Sequence, residues 1–269
     1  MKKTIILLAV LVGISLSSNV LSATYDATGI WNYTGHSPWT NCPEQVPADS
    51  GTIILIQTSD TSFIIVGDDF SKIGTINGAE YTFADFWCED YGWIDETVSI
   101  TLSSASTGSG TVSWIYHEGG SSCSGGHSLS LTKQAQNPPT YDATGTWDFT
   151  QSGSWTDCGS SAPPRDSGYF DVIQTISKIS AQDDQGASYS GFVSGATYYV
   201  VRSYIEDGGR TSVVYTITFA SNTGGSGEVE FVWDDDCEEC KGGWYISIVK
   251  QTVEEPKAMP WIPLLLLDD

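Results

Sequence analysis

Apolar side chains along this chain either alternate with polar ones or come in short β-branched bursts, and they do not recur every three to four residues. A period of two marks half-buried strands; a period of 3.6 would mark helices. Stretches such as ETVSITL at 96–102 and GTVSWIY at 110–116 show the alternation directly. The first half carries such bursts at 29–34, 52–58, 62–66, 72–76, 80–87, 96–102, 110–116 and 127–132. The second half carries them at 145–150, 169–175, 178–181, 189–193, 197–204, 212–219, 227–233 and 244–249. The connections are mostly short and glycine-bearing, such as INGAE and VSGAT, so consecutive strands are expected to pair antiparallel. No segment predicts a helix.

The two halves are copies. TYDATGIWNYTGHSPWTNC, ending at Cys42, returns as TYDATGTWDFTQSGSWTDC, ending at Cys158. The offset is 116 residues through this stretch and becomes 117 after one insertion, pairing Gly51 with Gly168, Tyr81 with Tyr198 and Cys123 with Cys240. A period this long is that of a domain, not of a solenoid unit. The expected division is a signal peptide over 1–23, repeats over 24–134 and 141–251, a proline-containing linker over 135–140, and an apolar tail over 252–269.

Eight consecutive antiparallel strands must dispose of two edges, and closing into an up-and-down barrel removes both. The rival is a two-sheet sandwich, whose Greek-key crossovers need long loops; only the connection over 35–50 is long. The expected fold is therefore all-β, with two tandem eight-stranded antiparallel barrels. A barrel of eight strands is filled by its own side chains or holds one small ligand.

Gly29-Ile30-Trp31 and Gly145-Thr146-Trp147 open the first strand of each copy. This Gly-x-Trp placement resembles the lipocalin and calycin group, and the layout with a later Cys-x-Gly-Gly looks like the lipocalin-like repeats of bacterial secreted proteins. The resemblance implies that Trp31 and Trp147 close the barrel floors, each under a cation, Lys133 or Lys250, that follows the last strand. In a closed barrel the first and last strands are neighbours. Cys42–Cys123 and Cys158–Cys240 are then expected to staple the two seams. Cys88 and Cys237 have no counterpart in the other copy; they pair with each other across the domains, or Cys237 competes with Cys240.

The compartment follows from the start of the chain. Lys2 and Lys3, a short apolar run over 5–16 and the small residues ending at Ala23 read as a secretory signal, with cleavage after Ser22 or Ala23. Six cysteines after it read as disulfides of an oxidising compartment. Without Lys2 and Lys3 the formal charge moves from −22 to −24. That field repels phosphate backbones and anionic membranes, so neither nucleic acid nor a bilayer is an expected partner.

Candidate chemistry is sparse. The three histidines, His36, His117 and His127, all lie in the first copy without the convergence a zinc site needs. Glu89-Asp90 and Glu206-Asp207 are the acidic pair present in both copies and the best calcium or turn-capping candidates. No hydrolase motif is present, so the expectation is a protein without catalytic activity or cofactor. The aromatics remain: Trp39 and Trp155 in the first loop, with Trp87, Trp114 and Trp233, are expected at the barrel interior or mouth. The tail, MPWIPLLLLDD, docks on its own barrel, adds to another copy, or is an address read by sorting machinery. The expected function is binding of a small apolar or aromatic ligand outside the cytoplasm. A structural or adhesive surface module with filled barrels is the alternative, and a hydrolase a third reading. An open cavity above about 300 Å³ marks a drug-sized binding site. A structural module keeps none, and a hydrolase shows converging carboxylates.

Overall fold

A computed structural model describes residues 22–43, 47–67, 70–89, 92–158, 167–206, 208–235 and 239–252. The expected signal peptide up to residue 21, and nearly all of the tail, lie outside these residues. The described residues form sixteen strands and no helix. In the first copy these are β1 (Gly29–Thr40), β2 (Ser50–Gln57), β3 (Ser62–Val66), β4 (Ser71–Asn77), β5 (Glu80–Glu89), β6 (Gly92–Leu102), β7 (Thr107–Glu118) and β8 (Ser121–Lys133). In the second they are β9 (Gly145–Thr156), β10 (Ser167–Thr175), β11 (Lys178–Asp183), β12 (Ser188–Ser194), β13 (Thr197–Glu206), β14 (Gly209–Ser221), β15 (Gly224–Asp234) and β16 (Glu239–Lys250). Each set closes into an antiparallel barrel in sequence order. The closing pairs are β1 with β8, in register at Tyr33 and Leu131, and β9 with β16, in register at Phe149 and Ile248.

Both floors are built alike. Trp31 is fully buried and its indole Nε1 donates to the Ala27 carbonyl at 2.7 Å; Trp147 donates to Ala143 at 2.6 Å. Lys133 Nζ lies 5.8 Å from the Trp31 ring centroid, and Lys250 Nζ 5.4 Å from that of Trp147. These two lysines explain the glycine of the Gly-x-Trp motif. Gly29 and Gly145 have φ of 149° and 133°, and a Cβ there would meet the lysine Cε at 2.4 and 2.8 Å. A side chain at either position is excluded by backbone conformation and by space together.

The first and last strands run further than the apolar bursts. β1 continues to Thr40 through a register shift between His36 and Trp39, where Ser37 takes φ 52°; β9 likewise continues to Thr156. A bulge breaks the alternation, so pairing continues where the hydrophobic pattern has stopped. Trp39 and Trp155 are therefore strand residues of the seam, not part of a loop over the mouth. Cys123 is likewise within β8, not before it. The staples Cys42–Cys123 and Cys158–Cys240 both form, with Cα atoms 5.2 and 5.0 Å apart. Cys88 is also disulfide-bonded; Cys237 lies outside the described residues.

The barrels pack side by side. Ile56, Ile64 and Val66 from the outer face of the first meet Phe192, Val201 and Val214 of the second in a separate buried cluster. This is why segments such as TIILI and YYVV are apolar on both faces: one side fills a barrel and the other joins the two. Among the described residues, two ion pairs cross the junction, Lys72 with Asp234 and Lys178 with Asp26 at 2.7 Å. The linker is tied down as well, since the Asn137 amide donates to Ser194 Oγ and Thr140 to the Gly195 carbonyl.

Candidate functional site

The two barrel interiors differ, and the difference is written in the inward-facing residues. In β6 the alternation of Val98, Ile100 and Leu102 toward the core extends back to Glu96, which sits toward the opposite end from the Trp31 floor. On β1 the inward parity of Trp31 brings in Tyr33, and on β8 that of Leu129 and Leu131 brings in His127. Tyr33 donates its hydroxyl to Asp49 Oδ2 at 2.7 Å. These four groups rim a cavity of about 170 Å³ whose walls include Ile53, Ile65, Val98, Ile100, Leu129 and Leu131. The volume falls short of the roughly 300 Å³ of a drug-sized site and suits a smaller guest.

Burial, reinforced by the charge of Asp85 across the β5–β6 ladder, pushes the Glu96 carboxyl up to about 7. It therefore titrates near neutral pH, unlike an exposed glutamate. Burial moves His127 the other way, below its ordinary value, against the pull of Asp49, so its imidazole is neutral at pH 7. Asp85 itself is paired with Lys72 at 2.5 Å.

The second barrel is filled at the same level. The repeat offset places Val213 opposite Glu96, Tyr215 opposite Val98, Phe170 opposite Ile53 and Phe149 opposite Tyr33. Phe170 packs on Phe149, Tyr189 and Tyr215 with ring centroids 4.8, 5.5 and 5.6 Å apart, mostly edge to face. What remains is about 40 Å³ lined by apolar and aromatic side chains.

The expected site residues scatter. Trp114 is buried in the wall of the first barrel, and Trp87 is half-buried on β5. Trp233 sits at the end of the second barrel, donating to the Glu206 carbonyl at 3.2 Å. Trp39 and Trp155 lie outside on the seams, 55% and 48% exposed, against Gly126 and Gly243. They do not line either interior. Of the calcium candidates, Glu206 accepts from Thr211 Oγ1 at 3.3 Å, while Asp90, Asp207 and the Glu89 side chain lie outside the described residues. His36 bonds Ser130 and His117 stacks on Trp93, so the three histidines do not converge. Among the described residues one group has metal-ligand spacing, Asp157 with Cys158 and Cys240, and its two sulfurs are spent in the seam disulfide.

Sequence alone does not single out Glu96, Tyr33 or Asp49, and it brings His127 forward only as one of three histidines. One signal was present. Glu96 is a charge at an inward position of an otherwise regular alternation.

Fold and site together define a tandem of two closed eight-stranded antiparallel barrels, one hollow and one packed. No family model matches the chain, and no curated protein matches it. Among solved structures it is similar to a protein of unknown function from the DUF3598 family of Nostoc punctiforme PCC 73102, at 9% identity and a TM-score of 0.27. That match covers 83% of this chain and 96% of the other. No helix among the described residues is long and apolar enough to cross a membrane.

Proposed function

We propose that this is an exported, non-catalytic protein that binds a small molecule inside its first barrel, in the manner of a lipocalin, with the second barrel as a packed support. The observation that carries the reading is the contrast between cavities of about 170 and 40 Å³ in two copies of one fold. The apolar walls suit a compact hydrocarbon or aromatic body. The rim of Glu96, Asp49 and neutral His127 suits a head rich in hydrogen-bond donors, an amine above all. The carboxylates are read as binding groups because Asp85, the acid that faces Glu96 across the ladder, is held by Lys72. The filled interior of the second barrel supports a structural role for that half.

The test is a titration of the full chain with small aromatic and alkyl amines, read by intrinsic fluorescence. Val98→Tyr, which copies the residue of the packed barrel, should abolish binding while the protein stays folded. Equal binding by Val98→Tyr and the parent would remove the cavity from the account.

A further inference from the structure

A further cavity lies between the barrels. It measures about 120 Å³ and is set against the outer face of the second barrel, where Ser212, Glu230 and Lys241 line it from β14, β15 and β16. The first barrel contributes Val66 and Ser71, and Trp155 stands at its edge. Ser71 is 3% exposed, and its hydroxyl has no hydrogen-bond partner among the described residues. A buried hydroxyl without a partner costs about 1–3 kcal/mol and calls for an explanation. Domain junctions are also where ligand sites concentrate.

Trp155 supplies the second half of the pattern. Its indole lies over Gly243, whose added Cβ would meet Nε1 at 3.1 Å, and nearly half of the side chain faces solvent. The cleft thus joins a flat aromatic surface to hydroxyl and carboxylate side chains. Trp39 repeats the platform over Gly126 in the first barrel, but it lines none of the cavities described.

We infer that the cleft binds a pyranose residue, with the C–H face of the ring on Trp155 and one hydroxylated edge inserted toward Ser71. The sizes agree. The cavity of about 120 Å³ admits the hydroxylated edge of a ring and leaves the rest of the sugar on Trp155. Glu230 accepts from sugar hydroxyls, and the Ser71 hydroxyl donates to them. An uncharged sugar also escapes the repulsion that a chain of net charge −22 imposes on phosphorylated ligands. This site is separate from the barrel interior and does not depend on the function proposed for it.

The probe is a panel of methyl glycosides of glucose, galactose, mannose and N-acetylglucosamine, at roughly 10 mM, enough to fill a millimolar site. Indole N–H signals of the ¹⁵N-labelled full chain report the result, with Trp155 assigned by Trp155→Phe. At least one glycoside should shift the Trp155 signal saturably. Trp155→Ala should weaken that binding tenfold or more, and Trp39→Ala should leave it unchanged. Ser71→Ala should weaken it at least threefold while the melting temperature holds or rises, because the hydroxyl it deletes has no partner among the described residues. The inference is overturned if no glycoside moves the Trp155 signal, which would leave the cleft as a pocket for water. It is equally overturned if Trp39→Ala matches Trp155→Ala, or if Ser71→Ala binds like the parent.

Discussion

Lys72, a residue of the first barrel, is ion-paired with Asp234 of the second. The same ammonium also holds Asp85 of its own barrel. Burial alone would lower the lysine pKa, but hydrogen bonds and charges from Asp234 and Asp85 outweigh it and raise the value. The cation is therefore fixed between the barrels, on the face of β4 that pairs with Ile65. Removing one partner of a buried ion pair costs about 3–5 kcal/mol. Asp85 still holds the ammonium when Asp234 is gone, so Asp234→Ala should cost less than that, about 1.5–3 kcal/mol for a charged hydrogen bond, and calorimetry should show a transition broader than the parent's or split in two. An unchanged single transition would mean that the pair does not couple the barrels.

The cysteine arithmetic gives a second check on that junction. Two seam bridges use four of the six cysteines, and Cys88 is bonded too. Non-reducing peptide mapping should therefore recover the Cys88 peptide joined to the Cys237 peptide, three residues after Asp234. A free thiol at either position would contradict the assignment.

The seam staples close loops with sequence separations of 81 and 82 residues. On the chain-entropy model each contributes roughly 4 kcal/mol, less any residual order in the unfolded chain. Cys42→Ser with Cys123→Ser, and the matching pair in the second barrel, should each lower denaturation midpoints to that degree. A loss below about 1 kcal/mol would show that strand pairing alone closes the barrel.

Glu96 sets a pH dependence whose sign is unusual for a carboxylate. Its folded value of about 7 lies above the ordinary 4.5, so the folded state holds the proton more tightly than the unfolded one. Below the unfolded value the group costs nothing; between 4.5 and about 7 the cost grows, and above 7 it is constant. The full difference is about 3 kcal/mol as an upper figure, reduced by whatever water enters the cavity. Glu96→Gln should stabilise the protein at pH 8 and have little effect at pH 4. An equal effect at both values would place Glu96 in solvent.

The architecture was legible because its signals are local or repeated. Alternation marked the strands, duplication fixed the two domains, and Cys42 and Cys123 marked a seam that only a closed barrel brings together. The functional features were not legible, for physical reasons. Glu96, Asp49 and His127 come from β6, the β2 approach and β8, and nothing in their spacing links them. The Trp39 and Trp155 placement failed because a bulge carries pairing beyond the apolar pattern. The inter-barrel face did leave a trace, the two-sided apolar runs of β2 and β13, which read alone only as strong strands.

The central claim is that the first barrel holds a guest and the second does not. Native mass spectrometry of the full-length protein from its own host tests it most directly, with the parent and Val98→Tyr compared side by side. The account predicts a bound small molecule on the parent, at one per chain, that is missing from Val98→Tyr. A parent that flies without adduct, and that no amine titration perturbs, would contradict it.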